Sequence, residues 1–200
     1  MNELNERDAL RADVYRLVAR LLREAPDTSL LEWLAGLEVD QDGSLLAERW
    51  ASLVAAAGAT TAAALERAHF RHLVGVVQGD ITPYASWYRN GELMDAALVA
   101  LRRDLKALGF QRAEHSRDPE DHLAALCEVM AMLIEARARD EARFFMTHLA
   151  PWAADCLADL GRVDTPFYAH LGLLGQAFIE EESRRLEAES HEDPVRIVEP

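Results

Sequence analysis

The chain has 200 residues, half of them hydrophobic, with 35 acidic against 21 basic side chains and a formal charge of −14. That length suits one sizeable domain with a real core, and so acidic a surface repels phosphate backbones and argues against nucleic acid as a partner. No apolar run approaches the roughly 20 residues of a membrane span, and the start MNELNERDALRADVYRL reads as a helix rather than a secretory signal. Cys127 and Cys156 make no CxxC and sit in helical stripes, which fits a reducing, cytoplasmic setting.

The apolar period is helical nearly everywhere. Leu10, Val14, Leu17, Val18, Leu21 and Leu22 predict a first helix ended by Pro26. Leu30 to Leu37 predict a short second helix before the turn at Asp42-Gly43, and Leu45 to Val54 a third stopped by Gly58. Thr61 caps a fourth, which carries Leu65, His69, Leu73 and Val76 on one face. The segment 78-QGDITPYASWYRNG-91 then breaks the period. Its glycines and proline mark a loop, yet Tyr84, Trp87 and Tyr88 carry aromatic surface that seeks burial. Two readings stay open: a loop folded back onto the core, or one lining a binding groove.

Leu93, Leu98, Leu101, Leu105 and Leu108 predict the next helix, closed by Gly109, and 117-RDPEDHLAALCEVMAML-133 opens another. Within 140-DEARFFMTHLAPWAADCLADLG-161, Pro151 should kink or restart the helix. Thr165-Pro166 starts a last one through Leu171, Leu174, Phe178 and Ile179, which dissolves into the charged run EEESRRLEAES. The expectation is an all-α, single-domain helical bundle over 1–190, with no strand or repeat and a flexible tail at 191–200.

The charged start of 118-DPEDH-122 poses the main chemical question. Asp118 suits an N-cap, Pro119 the first turn, and Glu120 with Asp121 the positive end of the helix dipole. His122 is the odd member, because the dipole disfavours a cation there. Alternatively, Asp121 and His122 offer a ligand an acceptor and a switchable donor. Glu66 and His69 form one ExxH, half of a di-iron carboxylate site, but the second half is missing. There is no HExxH, no GxSxG around Ser86 and no phosphate-cradling loop. A binding protein without cofactor or catalysis is the leading description, with a helical di-iron-type enzyme as the alternative.

The residues also carry a resemblance. The order of an aromatic segment 83-PYASWY-88, the helix 92-ELMDAALVALRRDLKALGF-110, then 118-DPEDH-122, 148-HLAPW-152 and 166-PFY-168 resembles the TorD/DmsD/NarJ family of cytoplasmic maturation chaperones for molybdenum-containing redox enzymes. It runs from about Leu73 to Phe178. The stretch 73-LVGVVQGDITP-83 lacks the Gly-Pro that many members carry before the aromatic loop. The resemblance implies a TorD-like bundle whose partner is an apo molybdo- or tungsto-oxidoreductase catalytic subunit, held for cofactor insertion and proofreading, often through its twin-arginine signal peptide. It also implies that Asp121, His122, Tyr84, Ser86 and Trp87 bind the client. Tyr15, on the first helix, joins them by helical pattern alone. An accessory subunit that stays in a redox complex is a further alternative. The chain is expected as a monomer or a helix-swapped homodimer.

Overall fold

In the computed structural model, residues 5–40, 42–76, 78–111 and 119–192 are described, and every named element among them is helical. The first, α1 (Glu6–Arg23), starts where the Asn5 side chain accepts the Asp8 N–H at 2.7 Å. Its buried stripe, including Val14, Tyr15, Val18, Leu21 and Leu22, lies along α7 (Leu123–Glu135). That helix is apolar nearly all round, so it can only be a central one. Burying a Leu or Met there contributes about 1.5–3 kcal/mol relative to exposure.

Three short helices follow α1: α2 (Thr28–Ala35), α3 (Leu45–Gly58) and α4 (Ala62–His69). Asp27, Ser44 and Thr61 cap them, each side chain taking an orphan N–H of its first turn. The last helix, α10 (Pro166–Glu192), packs against α9 (Ala153–Leu160), α3 and α8 (Glu141–His148). Its crossing with α9 is close. A Cβ at Gly172 would overlap the Gly161 nitrogen and stand 2.6 Å from the Leu157 carbonyl oxygen. One contiguous apolar core joins these helices.

Two expectations change here. The helix after Thr61 does not run on as one face to Val76. It ends in a π turn, Phe70–Val74, closed by the Gly75 N–H on the Phe70 carbonyl at 2.6 Å. The widened turn shifts the register, burying His72 and leaving Val76 92% exposed. Nor does α10 dissolve in the charged run: it continues through Glu192, so the boundary expected at 191 falls inside it. Glu182 and Leu186 are buried along that stretch, and Arg184 and Arg185 pair with Glu181, Glu182 and Glu189 one turn away. The rest of the expected tail, 193–200, lies outside the described residues. Pro151 does restart the helix, between α8 and α9.

Tyr15 is wholly enclosed. Its hydroxyl donates to Glu182 at 3.2 Å and its ring meets Phe178 edge-on at 4.8 Å. It belongs to the core and offers no surface to a partner.

Candidate functional site

The segment expected as a loop contains a helix, α5 (Ala85–Asn90), ended by Gly91 in the left-handed conformation at φ 79°. Nothing on its own side of the chain caps its start. The cap comes from the DPEDH segment. Asp121 is fully buried; its backbone carbonyl accepts the Ala85 N–H at 3.0 Å. Its Oδ2 accepts both the Ser86 N–H at 2.9 Å and the Ser86 hydroxyl at 2.6 Å. Around this pair the two segments form a single antiparallel bridge, Tyr84 opposite His122, extended by the Leu123 N–H on the Pro83 carbonyl at 2.8 Å.

The expected helix start is therefore corrected. The α7 helix begins at Leu123, not near Pro119, and His122 is its cap. The His122 Nδ1 accepts the Ala124 N–H at 3.0 Å, so the ring serves as an acceptor rather than the cation the dipole disfavours. Its ring and the Tyr84 ring stand perpendicular to each other, with centroids 4.9 Å apart. Glu120 reaches a third helix, α6 (Ala96–Ala107), where Arg102 donates to its Oε2 from Nε at 2.9 Å and from a terminal nitrogen at 2.8 Å. Asp118 lies outside the described residues. Three consecutive side chains thus hold three helices: Glu120 grips α6, Asp121 grips α5, and His122 caps α7. A carboxylate expected to serve its own helix serves its neighbours instead, because the chain arrives extended and the nearest orphan N–H groups belong to α5.

The HLAPW motif meets α5 at Tyr88, whereas the PFY motif packs on the histidines of α4 and the π turn. The Tyr88 ring lies 5.7 Å from Trp152, and its hydroxyl donates to Asp159 at 3.0 Å. The Trp152 indole donates to the His148 carbonyl at 2.6 Å, while the His148 ring pairs with Asp104 of α6 at 3.0 Å. Burial holds the His148 ring below the ordinary imidazole range, against the opposing bond to Asp104. Tyr168 of the PFY segment sits between the rings of His69 and His72. Arg102, Asp104 and Asp159 escaped sequence reasoning, since each is an ordinary charged residue on a helix. Asp104 alone left a trace, as the single acid among Arg102, Arg103 and Lys106.

Of the expected site residues, Tyr84, Ser86, Asp121 and His122 come together, and Trp87 stands beside them on α5. Trp87 is 38% exposed, whereas Ser86 and Asp121 have no exposed surface. Large apolar side chains stay uncovered just beyond it: Leu93, Met94 and Val99. Met94 takes a left-handed backbone at φ 60°, a conformation that non-glycine residues adopt only at some cost.

The ExxH pair is not one site. Glu66 is exposed, but the His69 ring is buried with its Nε2 on the Leu22 carbonyl at 3.2 Å. Among the described residues no three His, Cys, Asp or Glu side chains converge as metal ligands. Cys127 and Cys156 are free and buried, and burial pushes the Cys156 thiol up to about 12, which makes it a poor nucleophile.

The profile of the nitrate reductase delta subunit matches residues 39–158. The chain belongs to that family, of the NarJ/TorD chaperone type. The matched span contains α5, the DPEDH segment and α7, so the junction lies inside the family's shared part. It omits α1 and α10. A crystal structure of a candidate redox enzyme maturation protein from Archaeoglobus fulgidus has the same fold, with a TM-score of 0.50 at 15% identity over 88% of this chain and 93% of that one. No curated protein matches the sequence significantly.

Proposed function

We propose that this chain is a redox enzyme maturation chaperone that holds a segment of its client polypeptide against the α5–α6 face. The observation that carries this reading is the contrast within α5. Asp121 fastens the start of the helix through Ser86, and Trp152 packs on Tyr88 on another side. Between those two attachments Trp87 stays partly exposed, followed along the chain by the exposed Leu93, Met94 and Val99. Apolar side chains kept in water on a rigid mount suit a partner that buries them. Family membership supports the chaperone class.

The client we favour is the apo catalytic subunit of a molybdenum or tungsten oxidoreductase, met in the cytoplasm and in some cases through its twin-arginine signal peptide. Such a peptide joins a basic region to an apolar stretch. The apolar stretch would cover Trp87 and Met94 at about 25 cal/mol per Å², and a chain of charge −14 attracts the basic part. No helix among the described residues is long and apolar enough to cross a membrane. Tyr84 and His122 meet through their rings at the start of α5, next to Trp87 in the chain, and in this reading Tyr84 borders the client.

Calorimetry with a synthetic twin-arginine peptide tests the proposal. Trp87→Ala combined with Met94→Ser should weaken binding about tenfold, equivalent to about 1.4 kcal/mol, with helicity unchanged. Affinity should also fall as salt rises. An unaltered affinity in the double variant would remove the α5–α6 face from consideration. A second reading has one specific support, since the matching family is described as a subunit. Under it the chain stays with its redox enzyme, and size-exclusion chromatography of the native complex would show both at a fixed ratio. The same chromatogram separates monomer from helix-swapped dimer.

A further inference from the structure

We infer that Asp121 and Ser86 are positioning residues for client binding rather than contact residues: together they fix the orientation of α5 and so aim Trp87 outward. This rests on the α5–α6 face being the client site. The charged carboxylate at this place would otherwise be read as the natural partner of a client's arginine. Its geometry argues the other way. Asp121 has no exposed surface, and its Oδ2 is occupied by two donors from Ser86. Its other oxygen, Oδ1, is buried and meets no hydrogen-bond donor among the described residues. For a client guanidinium to reach either oxygen, a carboxylate with no exposed surface would first have to be uncovered.

A helix of six residues cannot hold itself together. It needs its first N–H groups satisfied from outside, and Asp121 satisfies two of them, one through its carbonyl and one through its carboxylate. The Ser86 hydroxyl adds a third bond, which fixes the rotation of α5 about its axis as well as its start. Trp87 follows Ser86 directly. A turn of the helix that loosened Ser86 would carry the indole with it. Glu120 then adds a separate clamp on α6 through Arg102, so the two helices bearing Trp87 and Val99 are held from adjacent residues.

Position and charge separate under substitution. Asp121→Asn keeps an oxygen for the two Ser86 donors, and because no donor faces Oδ1, an amide NH2 there opposes no hydrogen. Asp121→Ala removes the acceptor altogether. Ser86→Ala removes one donor without touching charge. Each protein is labelled with 5-fluorotryptophan, the Trp87 resonance is assigned by Trp87→Phe, and fluorine NMR is recorded without peptide. Binding of the synthetic twin-arginine peptide is then measured by calorimetry.

The expected result is that Asp121→Asn leaves the Trp87 resonance in place and binds within about twofold of the parent. Ser86→Ala and Asp121→Ala should move or broaden that resonance, and the variants should lose affinity in the same order, about tenfold or more for Asp121→Ala. If Asp121→Asn loses binding as severely as Asp121→Ala while its Trp87 resonance stays fixed, the carboxylate acts through charge and the inference fails. If Asp121→Ala does not fold, Ser86→Ala and Asp121→Asn still decide. Should the parent bind no peptide, the proposed function falls. The resonance still judges the positioning, which an unmoved Trp87 in Ser86→Ala would overturn.

Discussion

Arg11 and Glu182, 171 residues apart, form a two-point ion pair at 2.8 and 2.7 Å with almost no exposure on either side, and it fastens the first helix to the last. Arg11 also reaches Asp8 and Glu141, and Glu182 also accepts from Arg185. Burial alone would raise the Glu182 carboxyl, but the hydrogen bonds from Arg11 and Arg185 outweigh it and hold the group below its ordinary value near 4.5. A carboxyl depressed on folding stabilises fully above its unfolded value, and that contribution is lost as pH falls through the lower folded value. Glu182→Ala should cost about 3 kcal/mol at neutral pH, because it leaves a buried guanidinium short of its main partner. The difference from the parent should shrink below pH 4, as read from urea midpoints at pH 7, 5 and 3.

A second acid-sensitive step should come earlier. His69 and His148 are both buried, and burial lowers both, against the opposing bonds to the Leu22 carbonyl and to Asp104. Above an unfolded value near 6.5 they cost nothing. As pH falls below it, the unfolded chain takes up protons that the folded rings resist, so stability declines. The double variant His69→Asn, His148→Gln should start less stable at pH 7.5, having weakened two buried bonds. Its stability should nevertheless fall less than the parent's between pH 7 and 5. Thermal melts across that range give the two slopes.

Most of the helices were legible from the apolar period alone, and Thr61 caps α4 as expected, while Asp27 and Ser44 cap α2 and α3 by the same rule although the stripes alone had marked those helices. What period cannot show is a cap supplied from elsewhere. Asp118, Glu120 and Asp121 form a plausible N-terminus by local rules, and the local rules lose because α5, some 35 residues away, has no cap of its own. The same limit hid α5 inside an apparent loop: six residues with Gly91 behind them have too little sequence to display a period. The π turn at Phe70–Val74 was invisible for the opposite reason, as one extra residue per turn shifts a stripe without altering its composition. The grouping of Tyr84, Ser86, Asp121 and His122 was anticipated through motif resemblance and not through spacing.

Gly172 is where α9 and α10 come closest. A Cβ there would meet only backbone: the Gly161 nitrogen, the Leu157 oxygen and the Leu160 carbonyl carbon at 2.7 Å. At Gly175 the obstacle is instead the Leu157 side chain, 2.8 Å away, which can change rotamer. Gly172→Ala should therefore cost more than Gly175→Ala although both add one methyl to one helix. The expected values are about 3 kcal/mol or more against about 1 kcal/mol or less, the rise in helix propensity offsetting part of the latter. Equal losses in urea denaturation would mean that the two helices can part freely at this crossing.

His122 makes the sharpest case for separating a cap from a ring contact. As the cap of α7 it needs only an acceptor near the Ala124 N–H, which an Asn side chain also supplies. As the edge-on partner of Tyr84 it needs an aromatic ring, which Asn lacks. His122→Ala should lose both, about 1 kcal/mol for the cap and about 0.5–1.5 kcal/mol for the ring pair. His122→Asn should recover the first and not the second. If the Tyr84 ring is also held against the client, His122→Asn should then regain the cap's share of stability over His122→Ala while its peptide binding stays as weak, whereas a purely structural cap would restore both. Unfolding and calorimetry on the same preparations distinguish these outcomes, because a fully restored affinity in His122→Asn would assign the residue to α7 alone.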